Sequence, residues 1–342
     1  MDRERKILMS VLVLVAGLCN ILNASASTSY SFQSFSGAPG TVTENINPVG
    51  INNKGQIVGQ VATQGYSWRG FFYESNNFRI LSDAYSNPIP GVLPRDINNN
   101  GAVVGTLNLN SSSVIIQSDG SYSEFGTYYP QPPYGVLSIG ISSMNDYGLI
   151  VGNRTNNHLN TIYQAVFSIG FLYENGQYTY LDGLGGAGAV ISKINNNGQI
   201  VGYSPVEGWT RLQSFIYSNG SYLSLTGPEG SITTLAQGIN NQGDIVGAFA
   251  YSGVEVEPNQ NSHGFVLHDG MYTLLDVPNA ISTVATDIND LGQIVGYYND
   301  NSGYYRGFIA TPVSVPAPIP FWLFGSAILG WLGFGCYKST SA

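Results

Sequence analysis

A nine-residue string recurs six times along this chain of 342 residues, and it leaves few architectures open. The copies are INNKGQIVG from Ile51, INNNGAVVG from Ile97, MNDYGLIVG from Met144, INNNGQIVG from Ile194, INNQGDIVG from Ile239 and INDLGQIVG from Ile288. Successive starts are 46, 47, 50, 45 and 49 residues apart. A period of that length marks one supersecondary unit, which buries its apolar surface only by stacking on its neighbours.

Within each copy, an apolar residue ends a strand. Asn, then Asn or Asp, a variable residue and Gly follow. This spacing predicts a type I turn closed by a left-handed Gly, with the leading Asn bonding its own backbone two residues on. The Ile-Val pair after the Gly is β-forming and apolar without a break, so it should be buried on both faces. A second hairpin follows at a variable distance: Gly170 to Asp182 (GFLYENGQYTYLD), Phe71–Tyr73, Phe215–Tyr217 before Asn219-Gly220, and Phe265–Leu267 before Asp269-Gly270. In the second unit Val114–Ile116 lacks the aromatics but keeps Asp119-Gly120. Asn-Gly and Asp-Gly between alternating apolar residues are strong hairpin signals. Each period therefore holds four strands. The fold class is all-β, a six-bladed β-propeller over residues 27–312. A parallel β-helix, the alternative, has shorter coils and no need of two hairpins per period.

The sixth unit supplies only three strands, over 281–288, 293–298 and 305–310. The stretch Tyr30–Phe35 stands before the first repeat and resembles Tyr178–Leu181. The N-terminal strand is therefore expected to complete the last blade. Both kinds of tight turn should lie on one face of the disc, and the longer connections on the other.

The chain ends carry a different message. Arg3, Arg5 and Lys6 precede an apolar run from Ile7 to Ile21, and Ala24-Ser25-Ala26 offers a cleavage site. Residues 1–26 thus form a secretory signal, cut after Ala26. The two cysteines, Cys19 and Cys336, fall in that leader and in the C-terminal apolar tail. The body between them has no disulfide and must rest on its core. Pro320 to Tyr337 is uncharged and eighteen residues long, enough for a transmembrane helix. Val315, Pro316 and Pro318, followed by Trp322-Leu323-Phe324-Gly325-Ser326, resemble the PEP-CTERM sorting signals of Gram-negative bacteria. That resemblance implies an exosortase-type processing enzyme as partner and a membrane anchor, at least transient, at residues 313–342. Ala317 stands where the commonest form has Glu, and the usual Arg-rich end is reduced to Lys338.

The repeats also resemble the HAF extracellular repeat family. Its HGF-like strand, DG turn, LD and GIN-x-x-G-Q-IVG-Y pattern runs from His263-Gly264-Phe265 through Asp276 to Tyr297. The resemblance covers residues 45–310 and implies an exported repeat protein without a defined activity.

Charge narrows the function further. Setting aside Arg3, Arg5, Lys6 and Lys338 leaves eight basic residues, and setting aside Asp2 and Glu4 leaves 19 acids. A body of about −11 without a basic cluster makes nucleic acid an improbable partner. Asp96-Ile97-Asn98-Asn99-Asn100-Gly101 opens like a calcium loop, but Leu107 stands where the bidentate Glu belongs, so turn chemistry explains it. His263 and His268 fall on opposite faces of one strand. No cofactor, metal or catalytic motif is indicated, and the protein reads as a non-enzyme. Asp96, Asp244 and Asp287 could approach the axis, which leaves a glycan-active hydrolase or lyase as the alternative. The candidate ligand-binding residues are loop-face aromatics able to stack on sugar rings: Tyr128, Tyr129, Tyr134, Tyr203, Trp209 and Tyr251. The expected ligand is an exopolysaccharide or another envelope polymer.

Overall fold

The computed structural model describes residues 29–35, 45–62, 68–81, 91–107, 112–125, 129–130, 136–156, 167–206, 211–252, 261–300 and 304–313. Residues 31–311 form one compact unit. Of the second unit, residues 1–30 and 312–342, only 29–30 and 312–313 are described. The leader with Ala26, the sorting motif Val315, Pro316 and Pro318, and the apolar tail 320–337 lie outside the described residues. Among the described residues, no helix is long and apolar enough to cross a membrane.

Residues 31–311 are a six-bladed propeller. Blade 1 is β2 (Ile46–Ile51), β3 (Ile57–Ala62), β4 (Trp68–Glu74) and β5 (Asn77–Ile80). Blade 2 is β6 (Val92–Ile97), β7 (Val103–Leu107), β8 (Ser113–Ile116) and β9 (Tyr122–Phe125). Blade 3 comprises β11 (Val136–Met144), β12 (Ile150–Asn156), β13 (Phe167–Glu174) and β14 (Gln177–Leu181). It also gains a fifth strand, β10 (Tyr129–Pro130), on its innermost edge, beyond the four strands that each period predicts. Blade 4 is β15 (Val190–Ile194), β16 (Ile200–Val206), β17 (Arg211–Ser218) and β18 (Ser221–Leu225). Blade 5 is β19 (Thr233–Ile239), β20 (Ile245–Ala250), β21 (His263–His268) and β22 (Met271–Leu274). Blade 6 is β23 (Ser282–Ile288), β24 (Ile294–Asn299) and β25 (Tyr305–Val313), with β1 (Ser29–Ser34) as its outer strand.

The expected closure is therefore present. Phe35 N–H donates to the Gly307 carbonyl at 2.9 Å, Ser34 Oγ lies 2.9 Å from the Tyr298 hydroxyl, and Phe32 packs edge-on against Phe308. Phe35 also reaches blade 1, in edge contact with Tyr73, and joins a core cluster with Ile46, Ile57 and Phe71.

The Ile-Val pair of each repeat fills the seams. Ile57 belongs to the cluster between blades 6 and 1, whereas Val58 belongs to the one between blades 1 and 2. Adjacent residues of a strand point to opposite faces, so one pair serves two seams. The closing Gly has a steric reason. A Cβ on Gly202 would stand 2.2 Å from the Val190 carbonyl oxygen and 3.1 Å from the Phe215 ring. Inner strand and third-strand Phe close on that position from both sides, and only Gly fits. Turn chemistry also follows the sequence: Gly198 has φ +74°, its N–H bonds the Asn195 carbonyl, and Asn195 N–H bonds the Gln199 carbonyl.

Candidate functional site

The six inner strands β2, β6, β11, β15, β19 and β23 run along the axis, each ending in a repeat turn. Each carries a β-bulge two residues before its repeat, with register breaks between 48 and 50, 94 and 96, 141 and 143, 191 and 193, 236 and 238, and 285 and 287. A bulge leaves one residue unpaired and re-aims its side chain. The residues so released are Val49, Arg95, Ser142, Ser192, Gln237 and Thr286, and all six line one axial cavity.

The next residue of each strand, one before the repeat, points at the axis itself. In ring order these are Gly50, Asp96, Ser143, Lys193, Gly238 and Asp287, so that three charged residues alternate with three small ones. The glycines are required by their neighbours. A Cβ on Gly50 would meet Asp96 Oδ1 at 3.1 Å, and one on Gly238 would meet Asp287 Cα at 2.7 Å. Lys193 Nζ contacts Asp96 Oδ1 at 2.7 Å and Asp287 Oδ2 at 3.1 Å. The two carboxylate oxygens therefore lie no more than 5.8 Å apart. Ser143 Oγ donates to Asp96 Oδ2 at 2.6 Å, and Ile51 N–H donates to Asp287 Oδ2 at 2.8 Å. Asp96 and Lys193 are each 5% exposed and Asp287 3%, so the cluster is a buried plug in the central channel. Burial pushes the Asp287 carboxyl up to about 6, against the pull of Lys193. Burial would lower the Lys193 ammonium, but the Asp287 and Asp96 charges outweigh it and raise it.

On one side of the plug lie the repeat turns, lining a recess of about 60 Å³. Here the Asn residues do more than shape turns. The first Asn of each copy donates from Nδ2 to the backbone carbonyl of its counterpart in the next blade: Asn52 to Asn98 (3.0 Å), Asn98 to Asn145 (3.2 Å), Asn145 to Asn195 (3.2 Å), Asn195 to Asn240 (2.8 Å), Asn240 to Asn289 (3.3 Å) and Asn289 to Asn52 (3.0 Å). A second ring joins the backbone N–H of Asn53, Asn99, Asp146, Asn196, Asn241 and Asp290 to the side-chain Oδ1 of the next, all at 2.7–2.9 Å. Asp146 and Asp290 each also accept from two flanking Asn amides. Both rings close on themselves.

On the other side the channel widens into a funnel of about 560 Å³, within the range of ligand pockets. By strand order, the connections between second and third strands, and those between blades, leave the disc on this face. The funnel lining includes the six bulge residues, Asn47, Thr106, Asn153, Tyr203, Tyr297 and, at its floor, Lys193. Among the described residues it is lined by two cations and no carboxylate, whereas the recess opposite is lined by Asp96, Asp146, Asp287 and Asp290 together with Lys193. Arg95 is open to solvent, yet the surrounding blades desolvate it and hold its guanidinium below the ordinary value. Those two facts describe one situation, a side chain standing in a well. Among the described residues, no acceptor pairs with it. Burial likewise raises the Tyr203 hydroxyl, and Asn47 Oδ1 is a buried acceptor without a partner.

Of the residues nominated from sequence, Tyr203 lines the funnel. Tyr251 does not; it is exposed and packs edge-on against Phe249 and near His263 in blade 5. Tyr129 lies in β10, and Tyr128, Tyr134 and Trp209 lie outside the described residues. Asp96 and Asp287 reach the axis as expected, but Asp244 does not. Its carboxylate accepts from Asn240 Nδ2 at 3.0 Å and lies 2.5 Å from His268 Nδ1, out on its hairpin. Arg95, Gln237 and Thr286 escaped notice because they precede the repeat. Extending the six copies two residues leftward gives Val, Arg, Ser, Ser, Gln and Thr, a column without consensus beside a strongly conserved-looking turn.

No protein-family model and no curated protein matches the chain. Solved structures with a similar fold include a putative TolB from Agrobacterium tumefaciens, with 11% identity, TM-score 0.50, and coverage of 85% of this chain and 100% of that one. The β-propeller domain of the Trilobed protease from Pyrococcus furiosus gives 11% identity, TM-score 0.49, and coverage of 79% and 94%. Virginiamycin B lyase from Staphylococcus aureus gives 12% identity, TM-score 0.48, and coverage of 83% and 100%. At such identities the likeness is one of fold.

Proposed function

We propose that this is an exported, non-catalytic propeller of the cell surface or extracellular matrix, which binds an extracellular polymer such as exopolysaccharide through the funnel face. One observation carries the reading. The funnel wall carries a column of bulge residues that changes from blade to blade, while on the turn face the leading Asn and the Asn or Asp after it repeat in every blade and satisfy one another. Recognition belongs on the surface that varies, and a scaffold on the surface that does not. The leader and the PEP-CTERM-like tail support export, processing by an exosortase-type enzyme, and attachment to the envelope through the C-terminal segment. Pull-down of the full chain on isolated envelope polymers tests the reading; retention by none of them would count against it.

A glycan-active hydrolase or lyase is the second reading, favoured by the short Asp96–Asp287 separation. Paired carboxylates of retaining glycosidases stand about 5 Å apart. Here, however, both are buried and tied to Lys193, and each accepts further hydrogen bonds, so neither is free to meet a substrate. Release of new reducing ends or unsaturated sugars by the full chain, abolished by Asp287→Asn, would overturn the non-catalytic reading.

A further inference from the structure

The funnel has a polarity at odds with the chain. The protein carries a net charge of −9, yet among the described residues no carboxylate lines this cavity, and the two charged residues that do are cations. The two cations differ. Lys193 at the floor is neutralised by Asp96 and Asp287. Arg95, in the wall, has no acceptor among the described residues. Folding alone gives no reason to hold an unpaired guanidinium among blade walls, where desolvation penalises its charge. The geometry supplies one. The β-bulge at Arg95 turns this side chain out of the ladder and into the cavity, and the corresponding residues in the other blades are uncharged. A guanidinium presents a planar fork of donors that matches a carboxylate bidentately. The same cavity is lined from blades 4 and 5 by hydroxyl and amide groups suited to sugar hydroxyls, namely Tyr203, Ser192 and Gln237.

We infer that the funnel binds an acidic saccharide, with the carboxylate of a uronic-acid residue seated on Arg95. This rests on the polymer-binding reading above and names its ligand class. The test is titration calorimetry of the full chain, purified in mild detergent at physiological salt, with a short oligogalacturonate and with a neutral galacto-oligosaccharide of the same length. The acidic oligomer is expected to bind at least about tenfold tighter, and Arg95→Gln to remove that preference, as loss of a charge-assisted pair implies. Because Arg95 has no acceptor among the described residues, Arg95→Gln should melt with the parent chain, which separates lost binding from lost folding. Equal binding of the two oligomers, unchanged by Arg95→Gln, would overturn the inference and leave the polymer reading standing. Binding of neither would overturn the inference, and joined to a pull-down in which no envelope polymer retains the chain it would overturn the polymer reading as well.

Discussion

The two faces of the disc are made by the same six strands and behave as opposites. On the turn face, every blade hands an amide and a backbone N–H to the next, so polar groups are consumed by the fold. On the funnel face, two residues earlier in the same strands, the side chains differ in every blade but two, and Arg95 stands without an acceptor among the described residues. The contrast teaches how a repeat protein divides its labour along the axis. Uniformity stabilises the ring where the residues repeat, and a bulge releases one residue per blade from that uniformity. The buried Asp96–Lys193–Asp287 plug is the boundary between the two regimes.

The sharpest way to break this division is at the boundary. Lys193→Met leaves two buried carboxylates without their cation and is expected to cost about 3–5 kcal/mol in denaturant unfolding at neutral pH. Acidification should shrink that loss. In the parent protein Asp287 is raised to about 6, above an ordinary value of about 3.9, so its ionised form costs stability. That cost is present above the folded value, fades as pH falls through it, and is gone below about 4. Asp287→Asn should therefore flatten the gain in stability of the parent chain between pH 7 and pH 5.

A cut in the turn ring comes next. Asn195→Ala removes acceptors for the Asn197 and Gln199 N–H groups and the donor to the buried Asn240 carbonyl. A loss of about 3 kcal/mol in urea unfolding is expected, since buried partners are left unsatisfied. Gly198→Val should cost about 2 kcal/mol through its positive φ, with nothing nearby to clash. Asn197→Ala, at the variable slot of the same turn, loses one exposed bond to Asn241 and should cost less than half as much. Smallest of all, Gln237→Ala on the funnel wall should change stability by no more than about 0.5 kcal/mol. A loss there as large as at Asn195 would erase the distinction between the faces.

The architecture was legible because its signals are local and repeated. Turn residues at fixed offsets gave the hairpins, the adjacent Ile-Val gave burial on two faces, and the missing outer strand of unit six pointed to residues 30–35. The site was less so. The leading Asn announced a turn, which its bonds to Asn197 and Gln199 fulfil, but not the second bond to Asn240, which depends on how near the next blade stands. Aromatic composition drew attention to Tyr251, whose ring is taken up by Phe249, while a single Arg beside Pro94 carried no such mark. Which side chain a bulge turns inward depends on register between strands, and register is not written in one strand alone. Asp96 and Asp287 were visible as acids near the axis; that Lys193 joins them required the ring order of the blades.

The strand that completes blade 6 also sets a clock. Phe35 and Gly307, which bond within the closing blade, are 272 positions apart in the chain. Synthesis begins at the N-terminus, so β1 emerges first and its partner β25 last among the strands. Five blades can assemble in order while β1 waits with an open edge, and neither Asn ring can close until the final blade arrives. Contacts so distant in sequence form slowly, and waiting edges invite the wrong partner. For this protein the hazardous interval lies between the first strand and the last.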